Sequence, residues 1–233
     1  MKNILFLDIE TVPQFPTFNE CPDDLKSLWE HKAINLKKSD SDTASDIYNR
    51  AGIYAEFGKI ICISVGFIIE DVNGLELKIK SFCGHTEKDL LVEFAALLNK
   101  YYSKSESKLC AHNGREFDFP YIARRMIINN VQLPVILDTA GKKPWEVNHL
   151  DTMEMWKFGD FKSYTPLTLL AYSLGIPSPK DDIDGSMVWS VYWKDNNLER
   201  IKTYCEKDVE ALTNVYLRMK GFNVIPKEHI FRV

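Results

Sequence analysis

Residues 4–11, ILFLDIET, set Asp8 and Glu10 two positions apart inside a segment otherwise apolar enough to be a buried strand. Side chains alternate across a strand, so both carboxylates share one face, with Cα atoms roughly 6.6 Å apart. Unpartnered carboxylates are costly to remove from water and like charges raise one another's pKa, so the pair calls for a compensating cation. Any fold of this chain must bury its first strand and still bring positive charge to it.

The remaining bounds are broad. At 233 residues, with 45% hydrophobic and 27% charged residues, the chain suits one globular domain with a full core and is not a disordered polymer. Its longest apolar run, Ile60 to Ile69, is far short of the roughly 20 residues of a membrane helix and reads as a buried strand. One lysine and four apolar residues precede Asp8, too few for a secretory signal, so a cytoplasmic location with no membrane partner is expected. The five cysteines, odd in number and without a CxxC pair, read as reduced, buried thiols. A net charge of −4 argues against a basic nucleic-acid surface. If four acids form a metal site, however, the rest of the chain sums to zero. The basic pairs Lys37–Lys38, Arg124–Arg125 and Lys142–Lys143 read as solvated surface.

Periodicity predicts strands over residues 3–9, 59–69 and 75–82, the last two joined by a hairpin turn at Asn73-Gly74. A helix follows, opened by Thr86 with Asp89 as a near capping box, then a strand over 108–111 and a helix over 119–129. A short strand near 147–151 comes next. A helix begins at Thr165-Pro166 and ends at Gly175, another starts near Asp184, and a long one runs from about 198 to 219. This pattern predicts an α/β fold, a mixed β-sheet flanked by helices, in a single domain over 1–233. Residues at about 11–58 form a helical insertion with a mobile stretch around 37–46, and PSPKDDID at 177–184 forms an acidic loop. Phosphate loops of the GxxxxGK[ST] and GxGxxG types are absent.

Two further acids stand out. In the last helix Ile201, Cys205, Asp208, Leu212, Val215 and Met219 trace one apolar stripe, which puts Asp208 at a core position with Tyr204 one turn earlier. An ion pair across an interface is the alternative reading. Asp118, in LCAHNGREFDFP, falls where a strand gives way to a helix, the rim on which α/β sheets place ligand groups, though a plain N-cap role accounts for it too. A single D-x-E triplet is expected roughly once by chance in such a chain. Acids on a first strand, at a strand-to-helix turn and on a late helix together require a cation, and oxygen-only ligands select Mg²⁺ or Mn²⁺.

LDIET, Asn113-x-x-x-Phe117-Asp118 and Tyr204-x-x-x-Asp208 resemble, in order and spacing, the three motifs of the DEDD exonuclease superfamily in its tyrosine-containing branch. The chain is similar there to the proofreading exonuclease domain of family B DNA polymerases, in its stand-alone PolB-like form. EFGKIICISVG and KDDIDGSMVW add to the likeness. The other branch carries His where this chain has Thr203. The resemblance implies a ribonuclease H-like fold and a site of two divalent metal ions held by Asp8, Glu10, Asp118 and Asp208, with Tyr204 orienting the nucleophile. The candidates for substrate binding are Thr11, His112, Asn113 and Phe117, with Phe15, Phe18 and Phe119 as further aromatics for stacking. The implied activity is 3′–5′ hydrolysis of DNA, at a single-stranded 3′ end, releasing nucleoside 5′-monophosphates. With the sequence ending at Val233, no attached polymerase domain is expected. The alternatives are an exoribonuclease or oligonucleotidase with the same site, since no motif reports on the 2′-OH, and a noncatalytic nucleic-acid-binding module.

Overall fold

The computed structural model describes every residue except 38, 40, 73, 161 and 178–182. Its frame is a six-stranded sheet in the order β5-β4-β1-β2-β3-β6. The strands are β1 (Ile4–Pro13), β2 (Gly58–Asp71), β3 (Gly74–Cys83), β4 (Lys108–Ala111), β5 (Leu150–Asp151) and β6 (Ile230–Arg232). The helices are α1 (Asp23–Ile34), α2 (Glu87–Tyr101), α3 (Asp118–Ile128), α4 (Thr152–Lys157), α5 (Leu167–Ser173), α6 (Val188–Trp193) and α7 (Leu198–Met219). β2 runs antiparallel to β1 and β3, whereas β4 runs parallel to β1 and β5 parallel to β4. That is the ribonuclease H-like arrangement: an antiparallel meander continued by parallel strands, with helices on both faces.

Alternation along β1 divides the core in two. Leu5, Leu7 and Ile9 pack with Leu91 and Phe94 of α2 and Ile122 and Met126 of α3. Ile4 and Phe6, on the opposite face, pack with Val209, Leu212 and Tyr216 of α7. Asp8 and Glu10 continue this second row, so the same alternation that buries Phe6 aims them at α7. Against the expectation, β1 continues past its acids to Pro13, because pairing with β2 persists from Phe6↔Gly66 to Pro13↔Gly58 with an irregularity between Glu10 and Thr11.

The insertion therefore spans only the residues between Pro13 and Gly58, and it holds a small core of its own around the fully buried Trp29, Tyr48 and Ala51. Phe15 and Phe18 pack, half-buried, against that core, and Phe119 is buried in the main one. The hairpin turn at Asn73, part of the 37–46 stretch and most of the acidic loop at 177–184 lie outside the described residues. Thr86 precedes α2 as expected but makes no side-chain capping bond.

Two expectations fail in the core. Cys62 and Cys83 face each other across β2 and β3 and form a disulfide, their Cα atoms 4.1 Å apart, while Cys21, Cys110 and Cys205 are free and buried. Strand register brings together two thiols whose sequence spacing carries no signal. Arg125 is not surface: it is 4% exposed and pairs with Glu87, which also accepts the Ile60 N–H at 2.7 Å. No helix among the described residues is long and apolar enough to cross a membrane.

Candidate active site

β1 pairs with β4 only through Ile4, Leu5 and Phe6. Beyond that point the β4 side of β1 is open, and the chain leaving β4 turns there into α3. The turn is built on Asp151, a buried residue whose carboxylate accepts the N–H groups of Asn113 at 2.9 Å and Arg115 at 3.1 Å and also caps α4 through Met153 and Glu154. Asn113 takes the left-handed conformation at φ 63°, which asparagine tolerates better than most residues, and its carbonyl accepts the N–H groups of Glu116 and Phe117. Asp118 is thereby delivered as the first residue of α3, where its carboxylate accepts the Ile9 N–H.

From the other face, α7 lays Tyr204, Cys205 and Asp208 beside β1. The Cys205 thiol lies 3.4 Å from both the carbonyl and Oδ2 of Asp8. Ligand atoms of Asp8, Glu10 and Cys205 all lie within 4.8 Å of one another. Asp8, Glu10, Tyr204 and Asp208 line one cleft of about 430 Å³, together with Thr11 and Phe117. The Tyr204 hydroxyl bonds to Asp208.

The electrostatics follow from this crowding. Burial and then the charges of Asp208, Glu10 and Asp118 push the Asp8 carboxyl well above its ordinary value. Glu10 is raised by burial, Asp208 and Asp118. Asp118, raised chiefly by burial, reaches about 7. Burial and the same carboxylates raise the Cys205 thiol and the Tyr204 hydroxyl. The Cys205 thiol donates to Asp8. What remains is a set of mutually repelling carboxylate oxygens, and that donor set fits hard divalent cations.

The other sequence candidates fall elsewhere. His112 uses both ring nitrogens within the protein, Nε2 on the Thr165 carbonyl at 2.8 Å and Nδ1 on Thr152 Oγ1 at 2.9 Å. A carbonyl only accepts, so Nε2 carries the proton, and burial lowers the pKa of the ring. It is a neutral strut, not a phosphate contact. Asn113 shapes the turn and does not line the cleft. Conversely, Asn49, Arg50, Gly52 and Ile53 of the insertion, with Gly185, Ser186 and Trp189 at α6, line the cleft without having been singled out. Asp151 also went unnoticed, although an acid directly before TMEMWK is an N-cap signal.

A cluster of acids at the open end of a ribonuclease H-like sheet is a candidate site for a nuclease. Residues 53–227 match the family described as predicted 3′–5′ exonucleases related to the exonuclease domain of PolB, and the chain belongs to that family. The matched segment includes Asp118, Tyr204 and Asp208 and begins after β1. No match is found among curated proteins. Among solved structures, a family B DNA polymerase from the hyperthermophilic archaeon Pyrobaculum calidifontis shares 16% identity at a TM-score of 0.46, over 90% of this chain and 24% of that one. The RNase domain of the yeast Pop2 protein shares 12% identity at a TM-score of 0.43, over 96% and 82% of the two chains. The chain thus spans about a quarter of the polymerase's length.

Proposed function

We propose that this protein removes nucleotides one at a time from the 3′ end of single-stranded DNA, with Asp8, Glu10, Asp118 and Asp208 holding two divalent cations, Mg²⁺ or Mn²⁺. One observation carries the reading: Asp8, half-buried, and Glu10, buried, lie beside Asp208 and Asp118, whose charges raise the pKa of both. Such a cluster is unfavourable by itself and suits a role as a cation cradle. The choice of DNA follows the family's relation to PolB.

In the reaction, a water oxygen attacks the last phosphodiester phosphorus and the bond to the O3′ of the preceding nucleotide breaks. The products are a nucleoside 5′-monophosphate and a strand shortened by one residue with a free 3′-hydroxyl. The cations, when bound, supply activation of that water and neutralisation of charge on the attacking and leaving oxygens. Tyr204, protonated and donating to Asp208, offers its oxygen lone pairs to position the water. Its raised pKa makes it unsuited to act as the general base. Cys205 steadies Asp8 from behind, through the thiol contact to Oδ2.

The test is degradation of a 5′-labelled single-stranded DNA and its RNA counterpart with Mg²⁺, Mn²⁺ or EDTA. A metal-dependent ladder shortening from the 3′ end is expected, and Asp8→Ala should abolish it. Near-wild-type turnover by Asp8→Ala would overturn the assignment, and faster cleavage of RNA would replace the DNA substrate with the exoribonuclease reading.

A further inference from the structure

The segment between β1 and β2 is firmly built onto the catalytic layers. Tyr121 of α3 donates its hydroxyl to the Gly52 carbonyl at 2.7 Å, and Arg125 Nη1 donates to the Ala55 carbonyl at 2.8 Å. From α6, the indole N–H groups of Trp189 and Trp193 bond to the carbonyls of Pro16 at 3.1 Å and Pro13 at 3.2 Å. A Cβ at Gly52 would come within 3.0 Å of the Val12 backbone, so the 3-10 turn Tyr48–Ile53 lies directly on β1, just beyond Glu10. These ties set Arg50, Ile53 and Trp189 into the wall of the cleft that holds Asp8, Glu10 and Asp208.

Each of the three suits a different part of a nucleotide. Among the described residues lining the cleft, Arg50 is the one cation. Its Nη1 is held by the Leu36 carbonyl at 2.8 Å, a bond that fixes the side chain without exhausting the five donors of a guanidinium. A fork held in that way matches phosphate geometry better than a lysine would. Ile53 is 49% exposed although it borders the site, and Trp189 is half-buried with Lys194 Nζ 4.7 Å from its ring centroid. A cleft of about 430 Å³ is within the range that small ligands fill, and apolar walls accept the faces of any base.

We propose that the turn at 48–53 is the substrate clamp of this site: Arg50 takes a backbone phosphate, and Ile53 and Trp189 flank the terminal base. The inference rests on the nucleolytic reading above and gives the insertion its role in it. Because Ile53 and Trp189 offer no hydrogen bond to a base edge, the clamp holds all four bases alike.

The experiment uses the full chain with Mg²⁺ and a 5′-fluorescein oligothymidylate whose last linkages are phosphorothioates, followed by anisotropy between about 50 and 200 mM salt. Arg50→Ala should weaken binding about tenfold or more, as loss of a charged hydrogen bond does. It should also reduce the log–log salt slope by about 0.7, the share of one phosphate contact on a single strand. Arg50→Lys should restore that slope, and Trp189→Leu should weaken binding with the slope unchanged. Unaltered affinity and slope in Arg50→Ala would overturn the clamp. Equal losses in Arg50→Ala and Arg50→Lys would also overturn it, since the effect would then come from the Leu36 contact. Wild-type cleavage of an unmodified strand separates the two ideas. Cleavage with no dependence on Arg50 defeats only the clamp, whereas Arg50-dependent binding without cleavage defeats only the nuclease reading.

Discussion

Replacing Asp118 by Asn in the metal-free protein should raise its stability at neutral and alkaline pH and do much less at low pH. Burial, with added repulsion from Asp151 and Asp208, lifts the Asp118 carboxyl from 3.8 to about 7, although backbone N–H groups, including that of Ile9, pull the other way. The folded chain then keeps a proton that the unfolded chain has already released, so stability falls as pH rises from the unfolded value to the folded one. For a shift of this size the linkage removes about 1.7 kcal/mol by about pH 5 and roughly 4 kcal/mol by about pH 8. Asn stays neutral throughout and keeps an oxygen acceptor for the Ile9 N–H. Its advantage over wild type should therefore grow by about 2.5 kcal/mol between those two pH values.

Urea unfolding of both proteins in EDTA measures this, provided the slopes agree. His112 and His149, whose buried rings have lowered pKa values, contribute the opposite trend, but both proteins carry them and they cancel in the difference. Adding Mg²⁺ should close the gap near neutrality, because a cation at a hundredfold excess over its Kd stabilises the folded carboxylate form by about 2.7 kcal/mol. An advantage for Asn that is the same at both pH values would refute the reasoning, since Asp118 would then ionise as freely in the fold as in water.

Two further outcomes test neighbouring parts of the structure. Arg125→Leu, which strands the buried Glu87 carboxylate, should lower stability by about 3–5 kcal/mol in urea melts, with partial recovery on adding Glu87→Leu; a loss under about 1 kcal/mol in the single variant would mean the pair is solvated. Tyr204→Phe should slow the exonuclease ladder while calorimetric Mg²⁺ binding persists, and an unchanged rate would reduce Tyr204 to a packing residue.

What could be read from the sequence alone divides along a physical line. α7 and β4 match their expected limits because their signals, an apolar stripe and a short apolar run, are local. β1 was expected to stop near its acids, yet pairing with β2, which does not depend on side-chain polarity, carries the strand to Pro13. Arg125 could not be told from a surface arginine because its partner Glu87 is remote in sequence, and Cys205 could not be told from an ordinary core residue because only the packing of α7 on β1 gives its thiol a carboxylate neighbour.

The same line runs through the site. Asp8, Glu10 and Asp208 declare themselves because charge in an apolar strand or stripe is anomalous wherever it is found. The cleft walls obey no such rule: many apolar or basic residues could serve there, and what assembles them is a set of bonds to carbonyls, such as Trp189 to Pro16 and Arg50 to Leu36, that side-chain identity does not encode. An acid in a buried strand is improbable by itself, whereas an arginine in a polar insertion becomes improbable only once the fold has set it in the wall of a cleft with three carboxylates.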